Sequence, residues 1–185
     1  MKVTPLGING AWLIEAPTYP DDRGLFREWF VGDLDIDTEL PRFEVKQANT
    51  SISRKGVIRG IHYSSHESGQ SKIVTCTHGS ILDVIVDLRR DSITFGKSVT
   101  VELNSKSGKS VFISSGLGHA FQALEDQVAV SYLLDLKYNP AGEFEINPLD
   151  RDLSINWQIP NPLLSPKDCN AMSFEMFRKS EEKNV

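Results

Sequence analysis

A recurrence of short strand-like segments, separated by turn signals, constrains this chain more than any other feature. The segments cover residues 11–15, 25–31, 43–48, 57–63, 72–77, 80–88, 98–103, 110–113, 120–124 and 128–134. Between them lie Asp21-Asp-Arg-Gly24, Arg54-Lys-Gly56, His78-Gly79, Asn104-Ser-Lys-Ser-Gly108 and the glycines 116 and 118. Val99, Val101 and Leu103 alternate with Thr100 and Glu102, the period of a strand with one wet face. In 80–88, Leu82, Val84, Val86 and Leu88 alternate with Asp83, Ile85 and Asp87. No long helical period interrupts the series. Many short strands at regular spacing predict an all-β antiparallel sandwich or jelly-roll barrel. From about residue 135 the pattern decays, and prolines at 140, 148, 160, 162 and 166 predict an ordered wrap over the barrel. A short helix is expected from Phe174 in the tail 171–185, and the acidic stretch 32–39 reads as an exposed loop.

Length and charge narrow the function classes. At 185 residues the chain is read as one domain, 1–185, with room for a full core. Its formal net charge is −5 and it has no basic run able to track a phosphate backbone, so nucleic acid is not an expected partner. No apolar run approaches the ~20 residues of a membrane span. Met1-Lys-Val-Thr-Pro5 leads into no apolar signal-peptide core. Cys76 and Cys169 form neither a metal spacing nor a disulfide framework, so a reduced, cytoplasmic compartment is the expectation.

Lys55-Gly-Val-Ile-Arg-Gly-Ile-His-Tyr63 places Arg59 and His62 in an otherwise apolar strand. Burying such groups is costly unless they have partners or a task, and His is the side chain suited to act as a base near neutrality. Strict alternation puts the two on opposite faces, so one shared pocket requires a bulge or strong twist at Gly60. Asp168, in Leu164-Ser-Pro-Lys-Asp168, is a candidate to orient His62, against the simpler reading of a surface Asp after a turn. Gly116-Leu-Gly-His119 is either backbone packed close to a ligand or a tight hairpin with a His at its edge. Tyr132 is either a general acid or a core tyrosine with a satisfied hydroxyl. Arg23, Arg59, Lys72 and Lys167 either converge on a pyrophosphate or are solvated surface charges, the reading that suits Arg54, Lys55, Arg89 and Arg90 better than Arg59 and Lys72, which sit among apolar strand residues. A metal set of His62, His66, Glu67 and His119 is weakened because the His-x-His pair of metal cupins has Ser64 in its second place. Gly108, Gly116 and His119 keep the second cupin spacing, which suggests cupin architecture without its metal.

Together these residues resemble the dTDP-4-dehydrorhamnose 3,5-epimerase family. The resemblance runs from about 12 to 170 and is carried by Asp22-Arg-Gly-Leu-Phe-Arg-Glu28, Gln47-Ala-Asn49, Gly56-Val-Ile-Arg-Gly-Ile-His62, Gln70-Ser-Lys72, Asp83-Val-Ile-Val-Asp87, Ser92-Ile-Thr-Phe-Gly96, Gly118-His-Ala-Phe121, Tyr132, Tyr138-Asn-Pro140 and Leu164-Ser-Pro-Lys-Asp168. It implies a cupin-like jelly roll, a homodimer and no metal or other cofactor. The substrate implied is a dTDP-4-keto-6-deoxyhexose, inverted at C3, C5 or both.

By the same resemblance His62 is the base, oriented by Asp168, and Tyr132 is the acid on the opposite face of the sugar. Lys72 and His119 lie near the 4-keto oxygen or support the base. Arg59 and Lys167 bind polar groups of the nucleotide sugar, and Gln47 and Asn49 contact its nucleotide end. Tyr138 stacks on the thymine, and Glu143 completes the pocket. Arg23, Phe26 and Glu28 form a nucleotide contact that the family often supplies across the dimer, which gives the strands in 1–50 a role at that contact. Three positions depart from the family pattern: Ser64 for Gln, Leu133 for Lys, and Asn147-Pro-Leu-Asp150 for Trp-Asn-Asp. These departures resemble epimerases of antibiotic and other unusual deoxysugar pathways. A metal-dependent cupin enzyme and a non-catalytic cupin binding module are the alternatives.

Overall fold

Alternating side chains turn most of these segments into two facing antiparallel sheets. The computed structural model describes residues 1–32, 40–64 and 69–180. Its strands are β1 (Lys2–Pro5), β2 (Ala11–Glu15), β3 (Thr18–Asp21), β4 (Gly24–Arg27), β5 (Gln47–Ser53), β6 (Ile58–Ser64), β7 (Lys72–His78), β8 (Ser80–Asp87), β9 (Ser98–Asn104), β10 (Lys109–Ile113), β11 (Leu117–Ala123), β12 (Val128–Leu134) and β13 (Glu143–Glu145). Two short helices follow, α1 (Pro166–Cys169) and α2 (Phe174–Ser180). One sheet has the order β1-β2-β10-β7-β12-β5 and the other β13-β6-β11-β8-β9, while β3 and β4 form a separate hairpin. This is an all-β, cupin-like jelly roll with a C-terminal wrap. No helix among the described residues is long and apolar enough to cross a membrane.

Three apolar layers hold it together. Val74, Ile81, Ile85, Val111, Phe121 and Val130 fill the space between the sheets. Ile61, Val84, Val86, Ile146, Phe174 and Phe177 join the outer face of the five-stranded sheet to the wrap. Trp12, Ile14, Phe43, Ile73, Phe112 and Leu133 cover the outer face of the six-stranded sheet. Strand β8 therefore feeds two layers at once, with Ile81 and Ile85 inward and Val84 and Val86 outward. The same parity points Asp83 inward, where a charge needs a partner.

The strand expected over 43–48 is displaced to Gln47–Ser53. Phe43 packs its ring into the outer apolar layer, while β5 is built mostly of polar residues. Gly118 and His119 lie inside β11 rather than in a hairpin turn. The motif Ser92-Ile-Thr-Phe-Gly96 has a structural role. The Ser92 and Thr94 hydroxyls both donate to the buried Asp87 carboxylate at 2.5 Å, and Arg89 donates to it through Nε and Nη2. Burial pushes the Asp87 acidity the other way, but these donors prevail and pull its pKa down to about 2. The acidic stretch beyond Gly32 (33–39), His66 and Glu67 of the metal set, and the tail 181–185 lie outside the described residues.

Gly60 resolves the parity conflict between Arg59 and His62. Pairing matches His119 with His62 and Phe121 with Arg59, so three residue steps in β6 span two in β11. The extra residue is a bulge that brings Arg59 and His62 to one face. Gly60 has φ +118°, and a Cβ there would sit 2.5 Å from the His119 carbonyl oxygen and 2.6 Å from the Ala120 Cβ. Both obstacles belong to the neighbouring strand and cannot swing away. Gly60→Ala is expected to destabilise the fold by roughly 2–4 kcal/mol through overpacking and backbone strain. A chemical denaturation midpoint equal to that of the unsubstituted protein would contradict this close approach.

Candidate active site

Both sheets contribute walls to a cavity of about 320 Å³. From the five-stranded sheet come Arg59 and His62 of β6, His119 and Phe121 of β11, and Glu143 and Glu145 of β13. From the six-stranded sheet come Lys72 of β7, Tyr132 and Leu134 of β12, and Asn49 and Ser51 of β5. Gln70, Tyr138 and the segment carrying Ser165, Lys167 and Asp168 complete the lining. Period two explains the grouping: Lys72 shares its face with Val74, and Tyr132 with Val130, so the apolar barrel interior passes directly into the polar cavity.

His62 Nε2 lies 2.8 Å from Asp168 Oδ1 across 106 residues of chain. The His62 side chain is 42% exposed and that of Asp168 only 5%. A neutral ring that donates through Nε2 presents Nδ1 as its base. Ser165 Oγ donates to Asp168 Oδ2 at 2.7 Å and accepts the Asp168 backbone N–H at 3.1 Å. Burial would raise the Asp168 pKa, but the hydrogen bonds from His62 and Ser165 outweigh it and hold the carboxyl below its ordinary range. Lys167, also near Asp168, pairs with Glu145.

Lys72 is buried, and the described residues offer its ammonium no hydrogen bond or ion pair. Desolvation pushes its pKa down, opposed by the charges of Glu143, Asp83 and Asp135. Burial pushes Glu143 up, opposed by Lys72, His62 and Lys167. His119 Nε2 meets Asp83 Oδ2 at 2.8 Å. Tyr132 pairs with Asn49 on one side and Val74 on the other, and no described residue hydrogen-bonds its hydroxyl. Tyr138 stands half-exposed at the rim, its N–H donating to Gln47 Oε1 at 2.9 Å, and Gln47 in turn donates to Asn49. Arg59 is fixed by donating to Ser53 Oγ and the Ile52 carbonyl.

The cavity thus gathers His62, Asp168, Tyr132, Lys72, Asn49, Arg59, His119, Tyr138, Glu143 and Lys167. Gln47 reaches it only through Asn49 and Tyr138. Arg23, Phe26 and Glu28 do not line it. They belong to the β3–β4 hairpin and its exit, where Phe26 is 63% exposed and Arg23 pairs with its neighbour Asp21. Ser51, Gln70, Phe121, Leu134, Glu145 and Ser165 line the cavity although the sequence alone assigned them no role; Gln70, Phe121 and Ser165 lie within the motifs that carry the resemblance. Ser165 had a signal: Ser-Pro-Lys-Asp168 is a capping pattern, and Ser165 is the N-cap of α1 with Pro at the first helical position. Among the described residues no three His, Cys, Asp or Glu side chains converge as a metal site.

The sequence profile of dTDP-4-dehydrorhamnose 3,5-epimerases matches residues 5–176. The chain belongs to the dTDP-4-dehydrorhamnose 3,5-epimerase family. The family includes a dTDP-4-dehydrorhamnose 3-epimerase from Streptomyces niveus that is 41% identical over 93% of this chain and 83% of its own length. A dTDP-4-dehydrorhamnose 3,5-epimerase from Mycolicibacterium smegmatis is 41% identical over 94% and 86%. Among solved structures, the 4-keto-6-deoxy sugar epimerase NovW from the novobiocin cluster of Streptomyces spheroides superposes with a TM-score of 0.93 at 38% identity, covering 100% of this chain and 91% of its own. ChmJ, a 3'-monoepimerase from Streptomyces bikiniensis solved with dTDP-quinovose, gives 0.89 at 39% identity over 97% and 90%. The three departures from the family pattern all lie off the cavity wall. Ser64 accepts the Gln70 N–H, Leu133 packs in the outer apolar layer, and Asp150 accepts the Phe174 N–H in the wrap.

Proposed function

We propose that this chain epimerises a dTDP-4-keto-6-deoxyhexose at C3, C5 or both, without a redox cofactor. One observation carries the reading: His62 and Tyr132 enter one cavity from opposite sheets. A hydrogen on the carbon beside a ketone is weakly acidic. His62, held by Asp168, removes it from one face. The enolate oxygen that develops takes the ammonium of the buried Lys72, with His119 beside it. Tyr132 returns a proton from the other face, which inverts the centre. Arg59 and Lys167 bind the polar groups of the nucleotide sugar, and Lys167 leaves Glu145 to do so. Tyr138 stacks on the thymine at the rim, with Gln47 and Asn49 at the nucleotide end and Glu143 closing the pocket.

The whole chain acts as a single domain and works as a homodimer in the cytoplasm. The hairpin β3–β4 supports the dimer: Tyr19, Leu25 and Phe26 are exposed on an element that packs little of its own apolar surface. Arg23, Phe26 and Glu28 complete the partner's nucleotide site rather than their own.

Incubation with dTDP-4-keto-6-deoxyglucose in deuterated water tests the reaction. NMR is expected to show deuterium entering at C3, C5 or both, with inverted product. Protein that binds dTDP yet catalyses exchange at neither carbon would overturn the reading.

A further inference from the structure

One buried carboxylate stands behind the cavity without a part in the reaction as drawn. Asp83 on β8 is 1% exposed, points inward beside Ile81 and Ile85, and does not line the cavity. Its Oδ2 meets His119 Nε2 at 2.8 Å, while Oδ1 is buried with no hydrogen-bond partner. An anion so placed is costly unless nearby positive groups compensate it. Two candidates face it from different strands: His119 of β11, whose side chain is 11% exposed, and Lys72 of β7.

We propose that Asp83 is a positioning residue for the epimerisation, fixing the proton of His119 on Nε2 and serving as the buried counter-charge to the Lys72 ammonium. With Nε2–H held by the carboxylate, the proton stays on that nitrogen whether the ring is neutral or cationic. Nδ1 is then the only ring nitrogen whose proton can change, and it is the one left to the bound sugar. Neutral His119 accepts through Nδ1 from a hydroxyl, and cationic His119 donates through it to an oxyanion. Without Asp83 the neutral ring can also carry its proton on Nδ1, and that tautomer cannot accept a hydrogen bond there. Lys72 has three carboxylates around it: Glu143 on β13, Asp83 on β8 and Asp135 after β12. Glu143 lines the space the substrate enters; Asp83 and Asp135 do not, and of these two Asp83 is the fully buried one, while Asp135 is partly exposed and accepts the Ser71 N–H. Asp83 therefore remains available as counter-charge when substrate is bound.

The rate consequence rests on the epimerase reading, but the proton position does not. The first measurement is ¹⁵N NMR of histidine-labelled wild-type protein with dTDP bound. The His119 signal, assigned by its loss in His119→Asn, is expected to show a protonated Nε2. A protonated Nδ1 with a bare Nε2 would overturn the proposal whatever the variants do. The second is Asp83→Asn, which keeps shape and removes charge. Its kcat is expected to fall by about 100-fold, as for carboxylates that orient functional histidines, with KM and dTDP affinity within about threefold.

Loss of the Asp83 charge also leaves Lys72 more easily deprotonated. The basic limb of kcat is expected to move to lower pH, with only Glu143 and Asp135 still supporting the ammonium. In a His119→Asn background the same substitution is expected to cost markedly less. Wild-type kcat and pH profile in folded Asp83→Asn, or dTDP binding lost in step with kcat, would refute a positioning role. Wild-type protein with the expected tautomer but no exchange would instead remove the epimerase reading and leave the Asp83–His119 assignment intact.

Discussion

His62→Asn is expected to abolish epimerisation and solvent deuterium exchange together, while dTDP affinity stays within a few-fold. Asn is the better substitution because it keeps a polar side chain of similar breadth at the cavity wall near the buried Asp168 carboxylate, which His62→Ala leaves facing a void. Removal of a positioned general base costs on the order of 10²–10⁴-fold, and the carboxylates beside His62, those of Asp168 and Glu145, are engaged by other groups in this structure. Asp168 is held ionised but is only 5% exposed and engaged by Ser165. Glu145 stands opposite His62 across the β13–β6 pair but is engaged by Lys167, and Glu143 lies two residues along, opposite Ser64. The nucleotide end is held by groups that His62 does not touch. Exchange and binding therefore separate cleanly: NMR in deuterated water reads the first and calorimetry with dTDP the second. Undiminished exchange in a folded His62→Asn protein would remove His62 as the base.

How much of this was legible in the sequence depends on what each strand faces. β2 and β12 coincide with the segments read from pattern, because one side of each is apolar against a core. β5 escaped because Gln-Ala-Asn-Thr-Ser carries almost no apolar signal: its inner face lines a cavity and its outer face is exposed. Phe43 drew the expectation upstream because its burial is real, but it belongs to a packing layer rather than a strand. β1, β3 and β13 were missed for another reason. Each has three or four residues, too few for a period, and each exists because a neighbour pairs with it. Glu145 was nonetheless within reach, since it shares the face of Glu143 two residues earlier once β13 is granted. The His62–Asp168 pair spans 106 residues and came from resemblance, not from any spacing. The bulge at Gly60 is the opposite case: alternation alone required it, and only the register of β11 could show where the extra residue sits.

Tyr132→Phe separates the two halves of the reaction. The substitution keeps the ring that packs against the inner core and removes one hydroxyl that no described residue engages, so stability is expected to change by less than about 1 kcal/mol. His62 still removes the acidic proton. Its side chain is 42% exposed, so the proton it carries can exchange with solvent before returning. Deuterium then enters the sugar from the same face, with retention. Product formation is expected to fall by on the order of 10²–10⁴-fold, while exchange at the carbon that His62 addresses persists at a far higher rate than inversion. A His62→Asn, Tyr132→Phe double variant should lose this residual exchange, because both proton carriers are gone. Two outcomes decide against Tyr132 as the acid. Inversion at the unsubstituted rate means that another donor reaches the far face. Exchange lost in parallel with inversion means that Tyr132 acts before or during proton removal, as an oxyanion donor beside Lys72 rather than across the ring from His62.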